Sequence, residues 1–365
     1  MIYKKFKILL HLQYKRPMPK RKIWTVCLIT SCFLLYSSFL HKAEAIPDIY
    51  AQSYIVVDAK SGRIIGSKNP DTKLPIASTT KIMTAILAIE SIEDYDKKIE
   101  VPASCVGIEG SSIYLKPKQK VSIRDLLYGT MLRSGNDAAQ TLAEFAGRNN
   151  DGGFIEMMNS RAKELGAFNS NFVNPHGLNS DNHYSTAYDL ALISSHAMKN
   201  DLFKEITSAE KYKADSLNTY LYNKNKVVYE YEYGTGIKIG YTKAAGRCLV
   251  ASAEKDGTEI IVVVLNDNNW FQDSYKIFDW AFENYKSYQI VEQGQFAGRA
   301  ADGTPVFIDR SFSYILADEE KDKLRFESEI TVPHIINNRR TNICGTFRVY
   351  IGDEIIHTGS LVSDY

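Results

Sequence analysis

Cysteine is scarce in this 365-residue chain, five in all. Two of the five, Cys27 and Cys32, fall in the first 45 residues. The others, Cys105, Cys248 and Cys344, are scattered, which excludes a disulfide framework. No C-x-x-C pair and no Cys/His cluster points to a metal site, and no motif asks for a cofactor. The three thiols read as small buried apolar side chains. Internal repeats and low-complexity linkers are missing too. Only one long stretch is free of charge, the 18 residues from Ile23 to Leu40, which excludes a multi-span membrane protein. With 44% hydrophobic and 24% charged residues the chain is neither disordered nor collagen-like. An excess of one charge sign is also nearly absent, at net +1.

That small sum hides two unlike parts. Residues 1–45 hold nine Lys/Arg against one acid, net +8, and residues 46–365 hold 35 against 42, net −7. The acidic remainder argues against a nucleic-acid partner. The basic opening runs from Lys4 to Lys22, the apolar run follows, and Ala43-Glu44-Ala45 comes last. Basic region, apolar region and A-x-A site in that order predict a secretory signal peptide cut after Ala45. The apolar run is also just long enough to span a bilayer, so a retained N-terminal anchor is the alternative. Met18 offers a second start. Ile29-Thr30-Ser31-Cys32 resembles a lipid-attachment box, but its cysteine sits inside the apolar run rather than at its end. The other end, Ser363-Asp364-Tyr365, carries no basic amphipathic helix, so membrane attachment is expected only through the N-terminal segment.

The length suggests two domains. Residues 53–58 and 63–67 are β-type runs joined by a turn. Pro75 precedes a helical pattern over 78–90. Ser122 and Asp125 resemble a capping box before another helix, which ends near Arg133. Further helices are expected over 137–146, 151–165 and 186–199, the last capped by Ser185. Strands follow over 237–242, 248–254 and 259–265, the last two joined through Asp256-Gly257. A closing helix spans 271–284. Strands at both ends of this part predict one antiparallel sheet with helices against it, an α+β fold over 46–286. Residues 287–365 show only short alternating runs, a small all-β, sandwich-like domain.

Three segments carry chemistry. Ser78-Thr79-Thr80-Lys81 is S-x-x-K at a helix start, where residues three apart share a face. A neutral lysine there can take the proton of the serine hydroxyl. Burial and a second cation would lower its pKa enough. Ser134-Gly135-Asn136 lies between two helices and can aim a hydroxyl and a carboxamide into a cleft. Lys238-Ile239-Gly240 lies on a strand, where the lysine can hold a carboxylate and the glycine admits a substrate backbone. Each alone is weak, but in this order and on these element types the set is specific.

With Pro75–Ala85, Ser134–Ala139, Asn174–Leu178, His183–Ala187 and Gly236–Thr242, the chain resembles the serine-type D-alanyl-D-alanine carboxypeptidases, low-molecular-mass penicillin-binding proteins related to β-lactamases. The resemblance runs from about Ser53 to Phe282. It implies a β-lactamase/transpeptidase-like domain and an exported enzyme of the cell wall or the outer face of the cytoplasmic membrane. The enzyme would cut the terminal D-alanine from peptidoglycan stem peptides and be acylated by β-lactams. By that resemblance Ser78 is the nucleophile, Lys81 the general base and Ser134 a proton relay. Asn136 holds the substrate amide or places Lys81, and Lys238 faces the terminal carboxylate. Gly240 and Tyr241 line the substrate strand, with the Ser78 and Tyr241 N–H groups as oxyanion hole.

One residue departs from the pattern. Ile239 stands where the family has the threonine of K-T-G, so a hydroxyl donor to the substrate carboxylate is lost, and the arginine some members use after Leu265 is absent. Altered carboxylate recognition is the expectation. Two alternatives remain open: a weakly active or non-catalytic homologue that binds muropeptides or β-lactams, and a D,D-endopeptidase. A class A β-lactamase is disfavoured, because no E-x-x-L-N run is present. His176 reads as part of a turn, its ring satisfying backbone groups.

Overall fold

The computed structural model describes residues 45–332, 335–336, 339–340 and 342–363. The basic opening and the apolar run, and with them the expected export signal, lie outside the described residues. Among those described, no helix is long and apolar enough to cross a membrane.

Strands β1 (Ser53–Asp58) and β2 (Ile64–Lys68) form an antiparallel hairpin. A single 3-10 turn, Ala77–Thr80, then runs into α1 (Lys81–Ser91). Every α1 residue from Lys81 to Ile89 is buried, as expected of a helix apolar on nearly all sides. The short pair β3 (Lys98–Glu100) and β4 (Lys120–Ser122) brackets a long loop. Helices α2 (Ile123–Leu132), α3 (Asn136–Gly147) and α4 (Gly153–Glu164) follow. After them come α5 (Ala187–Ala197) and α6 (Asp201–Ser208). A hairpin of β5 (Lys211–Ala214) and β6 (Thr219–Tyr222) and the one-turn α7 (Val227–Glu230) lead to the long strands. These are β7 (Gly234–Thr242), β8 (Gly246–Lys255) and β9 (Thr258–Leu265). Helix α8 (Trp270–Asn284) closes the part.

The expected sheet forms, all antiparallel, in the order β2-β1-β9-β8-β7. Its middle strand reads Thr-Glu-Ile-Ile-Val-Val-Val-Leu, apolar without alternation, because both faces are covered. Ile261, Val263 and Leu265 join the core under α1–α6, while Ile260, Val262 and Val264 join a second core against α8. The period-2 geometry of a strand divides one apolar run between two layers. β7 ends the sheet, and one of its edges pairs with no strand among the described residues.

Three local expectations shift. Ser78 sits in a 3-10 turn, not an α-turn. Thr186, not Ser185, caps α5, its hydroxyl accepting from the Asp189 amide at 3.0 Å; Ser185 is instead tied to Ser170 and by its backbone to Leu74. The capping box of α2 is only half made: Ser122 accepts from the Asp125 amide, but the Asp125 carboxylate turns to Tyr212 and the Ser216 amide. Helix α6 was not expected.

Beyond α8 the chain enters a strand without a loop. β10 (Tyr285–Val291) begins at the next residue, so the boundary placed between 286 and 287 falls inside a strand. β11 (Phe296–Arg299), β12 (Pro305–Ile308), β13 (Phe312–Ala317) and β14 (Leu324–Ile330) come next. The two-residue strands β15 (Ile335–Ile336) and β16 (Arg339–Arg340) precede β17 (Ile343–Ile351) and β18 (Glu354–Val362). β10 pairs with β13, and a five-stranded sheet runs β11-β12-β18-β17-β14 around a small core that includes Val306, Phe347 and Leu361. Cys105, Cys248 and Cys344 are all free and buried, as read from the sequence.

Candidate active site

The 3-10 turn ends at Thr80, so Ser78 and Lys81 stand one turn apart at the start of a buried helix. Lys81 has no exposure to solvent. Its Nζ lies 3.0 Å from Ser78 Oγ, 2.7 Å from Asn136 Oδ1 and 2.5 Å from the carbonyl oxygen of His176. Two of these partners only accept. A neutral amine has two N–H bonds and one lone pair. With the N–H bonds given to the two carbonyl oxygens, the lone pair is left for the Ser78 hydroxyl.

The electrostatics agree. Burial holds the Lys81 ammonium well below its ordinary pKa, the charge of Lys238 lowers it further, Asp137 pushes back, and Lys224 adds a smaller lowering. Lys238 is itself only 1% exposed and is pushed down to about 7 by burial and by Lys224. Its Nζ donates to the Ile239 carbonyl at 3.0 Å. A second buried cation nearby makes an ammonium a stronger acid, so Lys81 gives up its proton the more easily.

Ser134 and Asn136 come from the turn between α2 and α3. Ser134 holds a left-handed backbone, φ 61°, and is 5% exposed. Its hydroxyl makes no hydrogen bond among the described residues. Such strain at a polar turn is common where a side chain must be aimed. Asn136 opens α3, its Oδ1 on Lys81 and its Nδ2 donating to the Glu109 carbonyl at 2.5 Å.

Gly240 explains how β7 approaches. A Cβ there would stand 2.8 Å from the Ser78 amide nitrogen and 3.0 Å from that of Thr79. Only glycine lets the strand lie against the turn that carries Ser78. Tyr241 follows and is 63% exposed. Ile239 packs against the α8-side core. Thr242 does not replace the lost hydroxyl, because its Oγ1 accepts from the Ala245 amide at 3.0 Å and holds the turn into β8.

The fold thus brings Ser78, Lys81 and Asn136 within hydrogen-bond distance and sets Gly240 beside them. Sequence reasoning missed the His176 carbonyl. The ring behaves as expected, Nδ1 accepting from the Leu178 amide at 3.3 Å, and is held down to about 4 by burial, Lys81 and His183. Its backbone oxygen is the part that reaches the site. The signal was present: Asn174 Oδ1 caps the turn through the Gly177 amide at 2.7 Å, and Gly177, at φ 86°, lies where a Cβ would strike the Ala77 carbonyl. His183 belongs to the segments that carry the resemblance, but no motif assigns it a role. Its Nδ1 accepts from the Val173 amide, so its Nε2 carries the proton to Thr80 Oγ1, 2.7 Å away. Surface recesses of about 290 and 360 Å³ lie elsewhere, between β1–β2 and α5 and beside α3–α4. Chemistry rather than volume locates the site.

Residues 40–269 match the family described as D-alanyl-D-alanine carboxypeptidase. The chain is 32% identical to the D-alanyl-D-alanine carboxypeptidase DacF of Bacillus subtilis, over 67% of this chain and 65% of that protein, a little under two thirds of its length. It is 31% identical to DacA of Haemophilus influenzae, over 73% and 72% of the two chains. Among solved structures, penicillin binding protein 5 from Haemophilus influenzae superposes with a TM-score of 0.73 at 26% identity, covering 87% of this chain and 98% of that one. Penicillin binding protein 6B from Escherichia coli gives 0.71 at 25% identity, covering 88% and 98%. With a match across most of its length and this fold, the chain belongs to the D-alanyl-D-alanine carboxypeptidase family.

Proposed function

We propose that this chain is a serine D,D-carboxypeptidase that removes the terminal D-alanine from peptidoglycan stem peptides through an acyl-enzyme on Ser78. The observation that carries the reading is the buried Lys81 amine 3.0 Å from Ser78 Oγ, with its other two bonds spent on carbonyl oxygens. Lys81 takes the hydroxyl proton as Oγ attacks the carbonyl between the two D-alanines. The N–H groups of Ser78 and Tyr241 receive the oxyanion, a contribution of about 3–4 kcal/mol per donor where it has been measured. Ser134 passes a proton to the leaving amine, and water then hydrolyses the ester. Both amide atoms of Asn136 are already engaged, which favours placing Lys81 over holding substrate. With Ile239 turned to the core and Thr242 to the turn, the substrate carboxylate falls to Lys238. Gly240 lets the substrate backbone lie along the edge of β7 that ends the sheet.

In the same reading residues 1–45 export the chain to the cell wall, the part from residue 46 through α8 is catalytic, and the strands from β10 onward form a β-rich appendage. β-Lactams acylate the same serine. A fluorescent penicillin should label the intact protein and leave Ser78→Ala dark. Absence of label on the intact protein would overturn the proposal. Product analysis on isolated sacculi then separates carboxypeptidase from endopeptidase: release of free D-alanine, without loss of cross-links, is the expected result.

A further inference from the structure

Asp137 follows the Ser134–Asn136 turn and is 1% exposed. The mechanism above does not use it, yet its carboxylate is fully engaged. Oδ1 accepts from the amides of Ile113, at 3.1 Å, and Ala138, at 2.9 Å. Oδ2 accepts from Ser112 Oγ, at 2.6 Å, and from the Leu115 amide, at 3.0 Å. Three of these four donors belong to the loop between β3 and β4. The same loop touches Asn136 twice more. Its Ser111 carbonyl accepts from the Asn136 amide at 2.7 Å, and its Glu109 carbonyl takes Nδ2. Gly110 has only hydrogen where a Cβ would stand 3.0 Å from that Nδ2. Residues 109–115 therefore form a strap laid on the turn, and one carboxylate fastens it.

We propose that Asp137 is a positioning residue of the catalytic site: by clamping the 109–115 strap it fixes the Asn136 amide with its oxygen on Lys81, and it is the acid that balances the cations around that lysine. An amide has two orientations of nearly equal shape. The Glu109 carbonyl, held in place by the clamp, accepts only from Nδ2, so Oδ1 is left for Lys81. A loosened strap frees the amide to turn, and a donor would then face Lys81 in place of an acceptor.

The charge acts in parallel. The groups around Lys81 are Lys238 on β7, Lys224 after β6, Asp137 on α3, and the neutral rings of His176 and His183 on the loop before α5. Of these only Asp137 is an acid, and it raises the Lys81 pKa against the others.

The inference rests on the proposed acylation of Ser78, and its test separates the two. The measurement is the rate of penicillin acylation against pH for the intact protein, Asp137→Asn and Ser112→Ala. Acylation of the intact protein establishes the reaction independently of Asp137. Acylation needs neutral Lys81, so its rate falls on the acid side. Asp137→Asn removes the charge that favours protonated Lys81, and the acid limb should move down by roughly 0.5–1 pH unit, with a loss of at least about tenfold in the plateau rate. Ser112→Ala keeps the charge. Its acid limb should stay in place while the amides of 109–115 exchange deuterium faster and KM for the peptide rises. A limb unmoved in Asp137→Asn overturns the electrostatic part. Unchanged exchange and KM in Ser112→Ala overturn the clamp, even if the aspartate variant does not fold.

Discussion

Lys81 and Lys238 are both almost without solvent contact, but their surroundings differ. Lys81 faces two carbonyl oxygens and a hydroxyl, an arrangement that suits a base. Lys238 donates to a single carbonyl and retains donors for a ligand. A pKa of about 7 means that Lys238 is charged below neutrality and loses its charge above it. If it alone holds the substrate carboxylate, kcat/KM for a D-Ala-D-Ala peptide should fall above pH 7, by up to about tenfold per unit. The methyl ester of that peptide has no charge to hold and should show no such limb. Parallel profiles for acid and ester between pH 7 and 9 would rule this role out. The side chains of this site were legible in the sequence, since S-x-x-K, S-x-N and K-x-G are patterns of side chains. The His176 carbonyl was not. A backbone oxygen has no letter of its own, and only the cap of Asn174 and the close approach of Gly177 bring it to Lys81.

Elements were legible where an apolar pattern was long. α1 and the three long strands fall where periodicity puts them, because burial on one or both faces dictates their residues. α6 spans eight residues and was missed, although Asn200 caps it through the Phe203 amide and Phe203 and Ile206 form its buried side. Two apolar positions in so short a window do not fix a period. The junction of β9 and α8 was opaque for another reason. Asp267 and Asp273 look like loop and helix-start acids, yet both are fully buried. Asp273 accepts from the Tyr50 amide at 3.0 Å and from Lys276 Nζ at 3.1 Å. Asp267 Oδ2 has no hydrogen-bond partner among the described residues. Burial, and beyond it the neighbouring Asp273, push Asp267 up to about 6, and a proton on Asp267 would supply the missing bond. A carboxyl raised in this way contributes stability that is complete below about pH 4 and is lost as pH rises through about 6. Asp267→Asn offers a permanent donor to Asp273. It should raise Tm at pH 7.5 by roughly 2–4 °C, about 1 kcal/mol, and leave Tm at pH 4.5 nearly unchanged. An equal change at both pH values would contradict the shared proton.

For the whole molecule, the division of charge near residue 45 was visible in the sequence, and it concerns residues outside those described. The attachment of the β-rich part was not visible, because its polar contacts join Arg63 to residues more than 250 positions away. α8 passes directly into β10, and Ile315 of β13 lies in the same core as α8. Arg63, at the root of β2, reaches across. Its Nη1 donates to Glu320 Oε2 at 2.8 Å and to the Ile315 carbonyl at 2.6 Å, and its Nη2 pairs with Glu320 Oε1. The guanidinium also sits over the rings of Tyr285 and Tyr314, 5.6 and 5.2 Å from their centroids. Glu320 in turn accepts from the Ala317 amide at 2.9 Å. A forked, ring-backed pair with side-chain exposures of 16% and 19% is neither a surface bridge nor a fully buried one. Its loss should cost about 2 kcal/mol, between the two limits. Lysine cannot reproduce the fork and should recover only part of this. Arg63→Ala is therefore expected to lower Tm by several degrees and to speed proteolysis within 292–323. Penicillin labelling of Ser78 at 25 °C should be unchanged, because the core under α1–α6, on which Lys81 sits, contains no residue of the β-rich part. Equal loss of labelling and of Tm would show instead that the two parts fold as one cooperative unit, with the catalytic site dependent on the appendage.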